Sequence, residues 1–310
     1  MRTLSIVPAL FGVSIAVFLL VRLIPGTVVD QMVGTEGAYS EESMRALRSF
    51  FGLDQPIYLQ YGRWLGALLR GDLGVSWRTG IPVLQMILSR LVVTVELTAA
   101  AMVVALAIGV PLGMLSARRE NTALDHAVRV VSLFSLSIPV FWQATMLILA
   151  VSLWLNWAPA VDFVNPWTDP LRNLSIIALP SLALGTAVAA VFMRMTRSSL
   201  LEVMRQDYIR TARAKGVWTR LIMRRHALRN AMLPVVTVIG LEFAFLIGGL
   251  VVTEQVFNLN GIGKLFVQAV ARSDFTMIQS LVLLIAAFFI LINFAIDLMY
   301  AWLDPRIRYR

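Results

Sequence analysis

The 310-residue sequence is 58% hydrophobic and 15% charged, with a mean hydropathy of +0.77 and a formal net charge of +9. That balance excludes an ordinary soluble domain and points to a polytopic membrane protein. Cysteine is absent and the two histidines, His126 and His226, stand far apart, which excludes a disulfide framework, a thiolate metal site and a cysteine nucleophile and leaves no metal-ligand spacing.

A span needs about 20 mostly apolar residues. Six segments meet that length, at roughly 4–24, 92–116, 128–155, 175–196, 231–253 and 277–301. The first, preceded by Arg2, is too long for a signal-peptide apolar region and is followed by no small-x-small cleavage site, so it reads as an uncleaved first span.

The connection 25–91 is too long to be a simple loop and is expected to fold as a helical insertion on the outer side. Asp54 and Pro56 open a helix that Gly71 closes, with Ile57, Tyr61, Trp64, Leu65 and Leu68 on one face. A second short helix is expected after Ser40, and Trp64, Trp77, Trp157 and Trp167 suit a membrane interface.

Pro111, Pro139, Pro180 and Pro234 fall inside or at the edges of spans, where neighbouring helices can re-satisfy the freed carbonyls. They read as kinked packing or as kinks that shape a central path. The pairs Gly109/Gly113 and Gly248/Gly249 read as close helix packing. Three carboxylates fall in spans. Glu242 stands near the middle of the fifth and reads either as a cavity carboxylate meeting a cationic substrate group or as a carboxyl paired or neutralised within the bundle. Glu96 and Asp297 stand near span ends and are expected to snorkel or to pair with arginine. Asn293 and Asp297, four residues apart, share a helix face suited to interhelical hydrogen bonding.

Lysine and arginine set the orientation. With the N-terminus cytoplasmic, the inside segments 117–127, 197–230 and the tail hold most of the basic residues, and both ends lie inside. The positive-inside bias and the anionic inner leaflet account for this clustering without nucleic acid.

The segment 197–230 holds nine Lys or Arg and two acids, Glu202 and Asp207. Its order is helical. Ser198–Gln206 continues the fourth span, a compact alanine-bearing stretch follows from Tyr208 to Lys215 with Gly216 suited to its C-terminal turn, and Val217–Asn230 is a third helical piece leading to Pro234. Such a segment reads as a rigid knob for a soluble partner.

The run Asp207-Tyr208-Ile209-Arg210-Thr211-Ala212-Arg213-Ala214-Lys215-Gly216, followed by His226-Ala227-Leu228-Arg229-Asn230-Ala231-Met232-Leu233-Pro234, resembles the cytoplasmic coupling loop of ABC-importer permeases. It is similar to the dipeptide/oligopeptide/nickel branch and, within it, to the first of the two permeases. Arg22-Leu23-Ile24-Pro25-Gly26, Leu53-Asp54-Gln55-Pro56, Gly71-Asp72-Leu73-Gly74-Val75-Ser76, Arg194-Met195-Thr196-Arg197-Ser198-Ser199 and Asp304-Pro305-Arg306-Ile307-Arg308 extend the resemblance over nearly the whole chain. It departs from the branch at Thr27-Val28, where Asp-Pro is usual, and at Asn260-Gly261-Ile262-Gly263, where Pro-Gly-Leu-Gly is usual.

The resemblance implies an all-α transmembrane domain spanning 1–310, with six spans, the insertion 25–91 and the coupling loop 197–230, in a bacterial inner membrane. It implies a second homologous permease, two cytosolic ATPase subunits and an extracytoplasmic substrate-binding protein as partners, besides membrane lipid. Tyr208, Thr211, Ala212, Ala214 and Gly216 would be packing contacts with an ATPase. Arg210, Arg213 and Lys215 would be rim charges or positive-inside residues. ATP and magnesium would belong to the ATPases. The chain itself has no G-x-x-x-x-G-K-[ST] loop, its only Gly-Lys being Gly263-Lys264. Short peptides are the implied substrate, with nickel complexes, glutathione, opines or oligosaccharides as alternatives. A self-sufficient secondary transporter would require related halves and ionisable relays, and no convincing internal repeat is visible. A membrane scaffold that merely recruits a partner to the basic loop is a third reading.

Overall fold

The computed structural model describes residues 2–23, 42, 45, 49, 54–157, 162–218 and 221–303. The expected helix after Ser40, most of the insertion before Asp54, and the Pro25-Gly26, Thr27-Val28 and Asp304–Arg308 motifs lie outside them. Among the described residues the regular structure is helical: α1 (Arg2–Leu23), α2 (Ile57–Leu68), α3 (Val83–Arg118), α4 (Ala123–Ser137), α5 (Val140–Leu155), α6 (Pro170–Met204), α7 (Asp207–Ala214), α8 (Leu228–Gly249), α9 (Val251–Val256), α10 (Ile262–Ala271) and α11 (Phe275–Leu303). A π-helical turn, Ile222–Ala227, leads into α8.

Among the described residues five helices are long and apolar enough to cross a membrane: α1, α3, α6, α8 and α11. The expected third span, 128–155, is not one rod. α4 and α5 meet at 104°, and only if this bent pair is one span does the number reach six. Pro139 explains the break. It cannot donate to the turn before it, and it drives Ile138 into extended backbone (φ −88°, ψ 126°). α3 and α6 run beyond the apolar windows, to 36 and 35 residues, so polar ends project past the roughly 20-residue span. In α6, Asp169 caps the start by accepting from the Arg172 N–H, and Pro170 occupies the first turn.

The chain divides into two compact units, Met1–Val92 with Gly261–Leu291, and Val93–Asn260 with Ile292–Arg310. In the first, the core is Val83, Ile87, Ile262, Leu265, Phe275, Met277 and Leu281. The buried Ser76 hydroxyl donates to Asp274, whose other oxygen accepts from the Met277 N–H and so caps α11. α2 lies against α1 through Phe18, Tyr61 and Trp64, with Phe18 and Tyr61 edge to face at 5.2 Å. The expected apolar face of α2 is half-buried at Tyr61, Trp64, Leu65 and Leu68 but exposed at Ile57, and Pro56 precedes the helix instead of opening its first turn.

In the second unit the core runs along α3 and α6 through Leu97, Ala101, Ala105, Ile176, Ala183, Val188 and Phe192. Small residues bring these helices together. A Cβ on Gly109 would stand 2.7 Å from the Ala189 carbonyl oxygen, one on Gly113 would stand 2.7 Å from that of Met193, and one on Gly185 would stand 2.6 Å from the Val104 Cβ. The expected role of Gly109 and Gly113 in close packing is therefore met at contact distance.

Candidate functional site

The polar loop at the end of α6 is ordered by its own sequence. Backbone bonds from Arg205 to Glu202 and from Gln206 to Val203 end α6 tightly, and the Ile209 and Arg210 N–H groups bond back to the Gln206 carbonyl to start α7. α7 spans Asp207–Ala214, an acidic residue in its first turn and Arg213 in its last, the arrangement the helix dipole favours. The third helical piece differs from the expectation: Val217 and Trp218 are not helical, and a π-helical turn covers Ile222–Ala227 before α8 begins. A π turn inserts an extra residue per loop of chain and is frequent at functional sites.

Gly216 closes α7 as expected. Its φ is +77°, the left-handed region that glycine enters without steric cost. The Val217 N–H reaches the Ala212 carbonyl and the Gly216 N–H reaches that of Arg213, the paired bonds of a Schellman turn. Ala212 and Val217, which that turn brings together, pack on one small apolar cluster.

The anchor of α7 is Ile209, fully buried at 0% exposure among Ala117, Leu200, Ile222, Met223, Ala227 and Ala231. Nothing local in the sequence marks it as the anchor. Ala212 is half-buried beside it. Asp207, Tyr208, Arg210, Thr211, Arg213, Ala214, Lys215 and Gly216 are exposed. Of the proposed packing contacts, Ala212 thus faces partly inward, while Tyr208, Thr211, Ala214 and Gly216 remain open to a partner. The Asn230 amide donates to the Tyr208 hydroxyl at 2.8 Å, tying α7 to the start of α8. Asp207 and Arg210 form an exposed pair at 3.3 Å, an interaction that solvent largely screens.

A second polar joint lies beside the loop. Asp125, in the first turn of α4, is fully buried and accepts from Arg197 on α6 through Nε (2.7 Å) and Nη2 (2.8 Å). Ser116 of α3 donates to the same carboxylate at 2.5 Å and the Asn121 N–H at 3.0 Å. Nearer the surface, Arg205 meets Glu120 at 2.9 Å across a cleft of about 550 Å³. Thr122 three residues before Asp125 is a helix-start signal legible in the sequence. The partnership with Arg197, 72 residues away, is not.

Glu242 is half-buried on α8, beside the exposed Leu241 and Phe245. Glu96 is half-buried well inside α3, not near a helix end, because α3 begins at Val83, ahead of its apolar window. Glu254, absent from the sequence-based expectations, is fully buried on α9 and accepts from Thr94 at 2.7 Å. Among the described residues no group of three or more His, Asp or Glu side chains could hold a metal ion.

Residues 109–309 match the model of the family described as binding-protein-dependent transport system inner membrane component. The chain is similar to the dipeptide transport system permease protein DppB of Alkalihalophilus pseudofirmus, at 38% identity with 99% of this chain and 98% of that protein covered. It is similar to DppB of Escherichia coli K12 at 38%, with 98% and 96% covered, and to the glutathione transport system permease protein GsiC of the same strain at 40%, with 100% and 98% covered. Its fold resembles an inward-facing MetNI methionine ABC transporter chain (TM-score 0.55, 18% identity, 71% of this chain and 97% of that one). An amino acid ABC transporter chain gives TM-score 0.54 at 14% identity, with 72% and 94% covered.

Proposed function

Because the chain belongs to the family of binding-protein-dependent transport system inner membrane components and is a multi-pass permease subunit of an ABC importer, we propose that it forms half of a pathway for short peptides. In this reading it pairs with a second, similar permease. Two ATPase subunits seat on the α7 loops of the two permeases, and a substrate-binding protein delivers cargo to the opposite face. In the same reading both termini and α7 lie on the cytoplasmic side, which the Lys and Arg distribution of the loops supports.

The observation that carries the proposal is α7 itself. It is a short helix with a buried Ile209 on one side and Tyr208, Arg210, Thr211, Arg213, Ala214 and Lys215 exposed on the other, tied near its start to Asn230 of α8 and capped at its end by Gly216. A helix so held moves with α6 and α8 and not independently of them. ATP-driven closure of the ATPases then has a rigid handle. The nucleotide shifts the inward–outward equilibrium only as far as the ATPases prefer one arrangement of these handles over the other. ATP and magnesium act in those partners, and this chain contributes packing and position.

Peptide cargo is supported by the near-complete overlap with the DppB proteins, and glutathione, itself a short peptide, is the alternative that the GsiC similarity favours. Glu242, half-buried on α8, is the candidate carboxylate for a cationic group of the cargo. Proteoliposomes holding both permeases, the ATPases and the binding protein test the assignment. ATP-dependent dipeptide uptake that disappears with an inactivated ATPase is expected, and uptake that persists without ATPase refutes it. In the same vesicles Glu242→Gln is expected to change uptake of lysine-bearing relative to neutral dipeptides by about threefold or more, on the order of 1 kcal/mol. Equal uptake across the panel removes Glu242 from the pathway.

A further inference from the structure

The buried joint between α4 and α6 lies apart from α7, the helix read as meeting the ATPase, yet its geometry exceeds what holding two helices together requires. Asp125 receives four hydrogen bonds: from Ser116 Oγ, from the Asn121 N–H, and from Arg197 Nε and Nη2. Those donors come from the end of α3, from the α3–α4 turn and from α6. The arginine fork is bidentate, so it fixes an angle as well as a distance. A buried ion pair adds little net stability over well-packed apolar side chains, whereas loss of one partner is costly. What the pair supplies beyond packing is one defined orientation of α6 against the start of α4.

That orientation lies on a continuous mechanical route. From Arg197 α6 runs unbroken to Met204, a rise of about 10 Å at the helical repeat. The Arg205–Gln206 turn hands the chain to α7 through backbone bonds, so a displacement of α7 reaches Arg197 with no flexible segment between them. On the other side of the fork, α4 carries Asp125 in its first turn and ends at the Ile138–Pro139 break, where it meets α5 at 104°. That break has neither a continuous backbone ladder nor a helical φ/ψ at Ile138, and is a place where an angle can change. The exposed Glu120–Arg205 pair joins the same segments at the surface, but its solvent exposure makes it a weak link.

We infer that Asp125 and Arg197 are a positioning pair that transmits displacement of α7 to α4 and changes its angle with α5 at Pro139. The pair touches neither ATP nor cargo. It couples the movement of one to the pathway of the other. This rests on the reading of α7 as the ATPase-coupling helix.

The test is the amount of dipeptide transported per ATP hydrolysed, measured in proteoliposomes with the complete complex. Arg197→Ala is expected to lower that ratio by about tenfold or more, because it leaves the Asp125 carboxylate without its charged partner. Arg197→Lys, which keeps the charge but loses the fork, is expected to recover only part of it. A merely structural role would reduce the yield or melting temperature of the complex and leave the ratio at the wild-type value, and that result overturns the inference. If Arg197→Ala gives no complex, Ser116→Ala decides. It removes one neutral donor, and a fall of about two- to fivefold in the ratio supports the positioning role, while an unchanged ratio overturns it. A wild-type permease pair that retains no ATPase refutes the coupling-helix reading as well, whereas a wild-type complex that couples normally beside an Arg197→Ala complex with the same ratio refutes only the positioning pair.

Discussion

Two short polar features follow long apolar helices in the second unit, and they are held in opposite ways. α7 is seated by one apolar side chain, Ile209, with its charges turned outward. The α3–α4 turn is seated by one buried carboxylate, Asp125, whose charge is turned inward onto Arg197. Apolar burial is non-directional, so it holds α7 in place while allowing its outer face to adapt to a partner. A bidentate charge pair is directional, so it holds the turn at one angle. The difference separates a contact surface from a joint.

The largest expected effect that tests this contrast is Ile209→Asp. Truncating a buried isoleucine costs about 2–5 kcal/mol, and burying an unpaired carboxylate adds to that. α7 is expected to detach from its cluster, and the ATPases to be lost on co-purification from detergent while the permease still inserts. Retention of the ATPases at wild-type stoichiometry would mean that α7 is not seated by this side chain. A smaller effect follows from Gly216→Ala. Its φ of +77° costs an alanine about 1–2 kcal/mol. If that strain falls on the docking-competent shape of α7, ATPase affinity drops roughly 5- to 30-fold in a titration with purified ATPase, since about 1.4 kcal/mol is tenfold. Smallest is Asp207→Asn, which breaks an exposed pair with Arg210. The melting temperature of the complex is expected to stay unchanged, and a clear drop would show that this charge is covered by the partner and not by solvent.

Much of α7 was legible because its signals are local. An acidic first turn, an alanine-bearing middle and a glycine at the C-terminal turn can each be read within a few residues. Ile209 was available too, as the one aliphatic side chain larger than alanine among residues 207–216, but nothing local says which way it points. The π-helical turn at Ile222–Ala227 is not legible in the sequence, since its composition does not differ from that of an α-helix. The bend in the third span is not legible because hydropathy over 128–155 is continuous across Pro139, whereas the backbone is not.

The sequence by itself determined that this chain crosses a membrane several times, that its basic residues concentrate in a few segments between or after the apolar spans, and that a helical polar element stands between the fourth and fifth of them. Each follows from composition and short-range periodicity, which act within one element. Only the tertiary structure decided that Ile209 is the anchor, that Glu254 is buried against Thr94, and that Asp125 receives Arg197 from 72 residues away. A buried polar group needs a partner, and the chain does not announce where in space that partner will arrive.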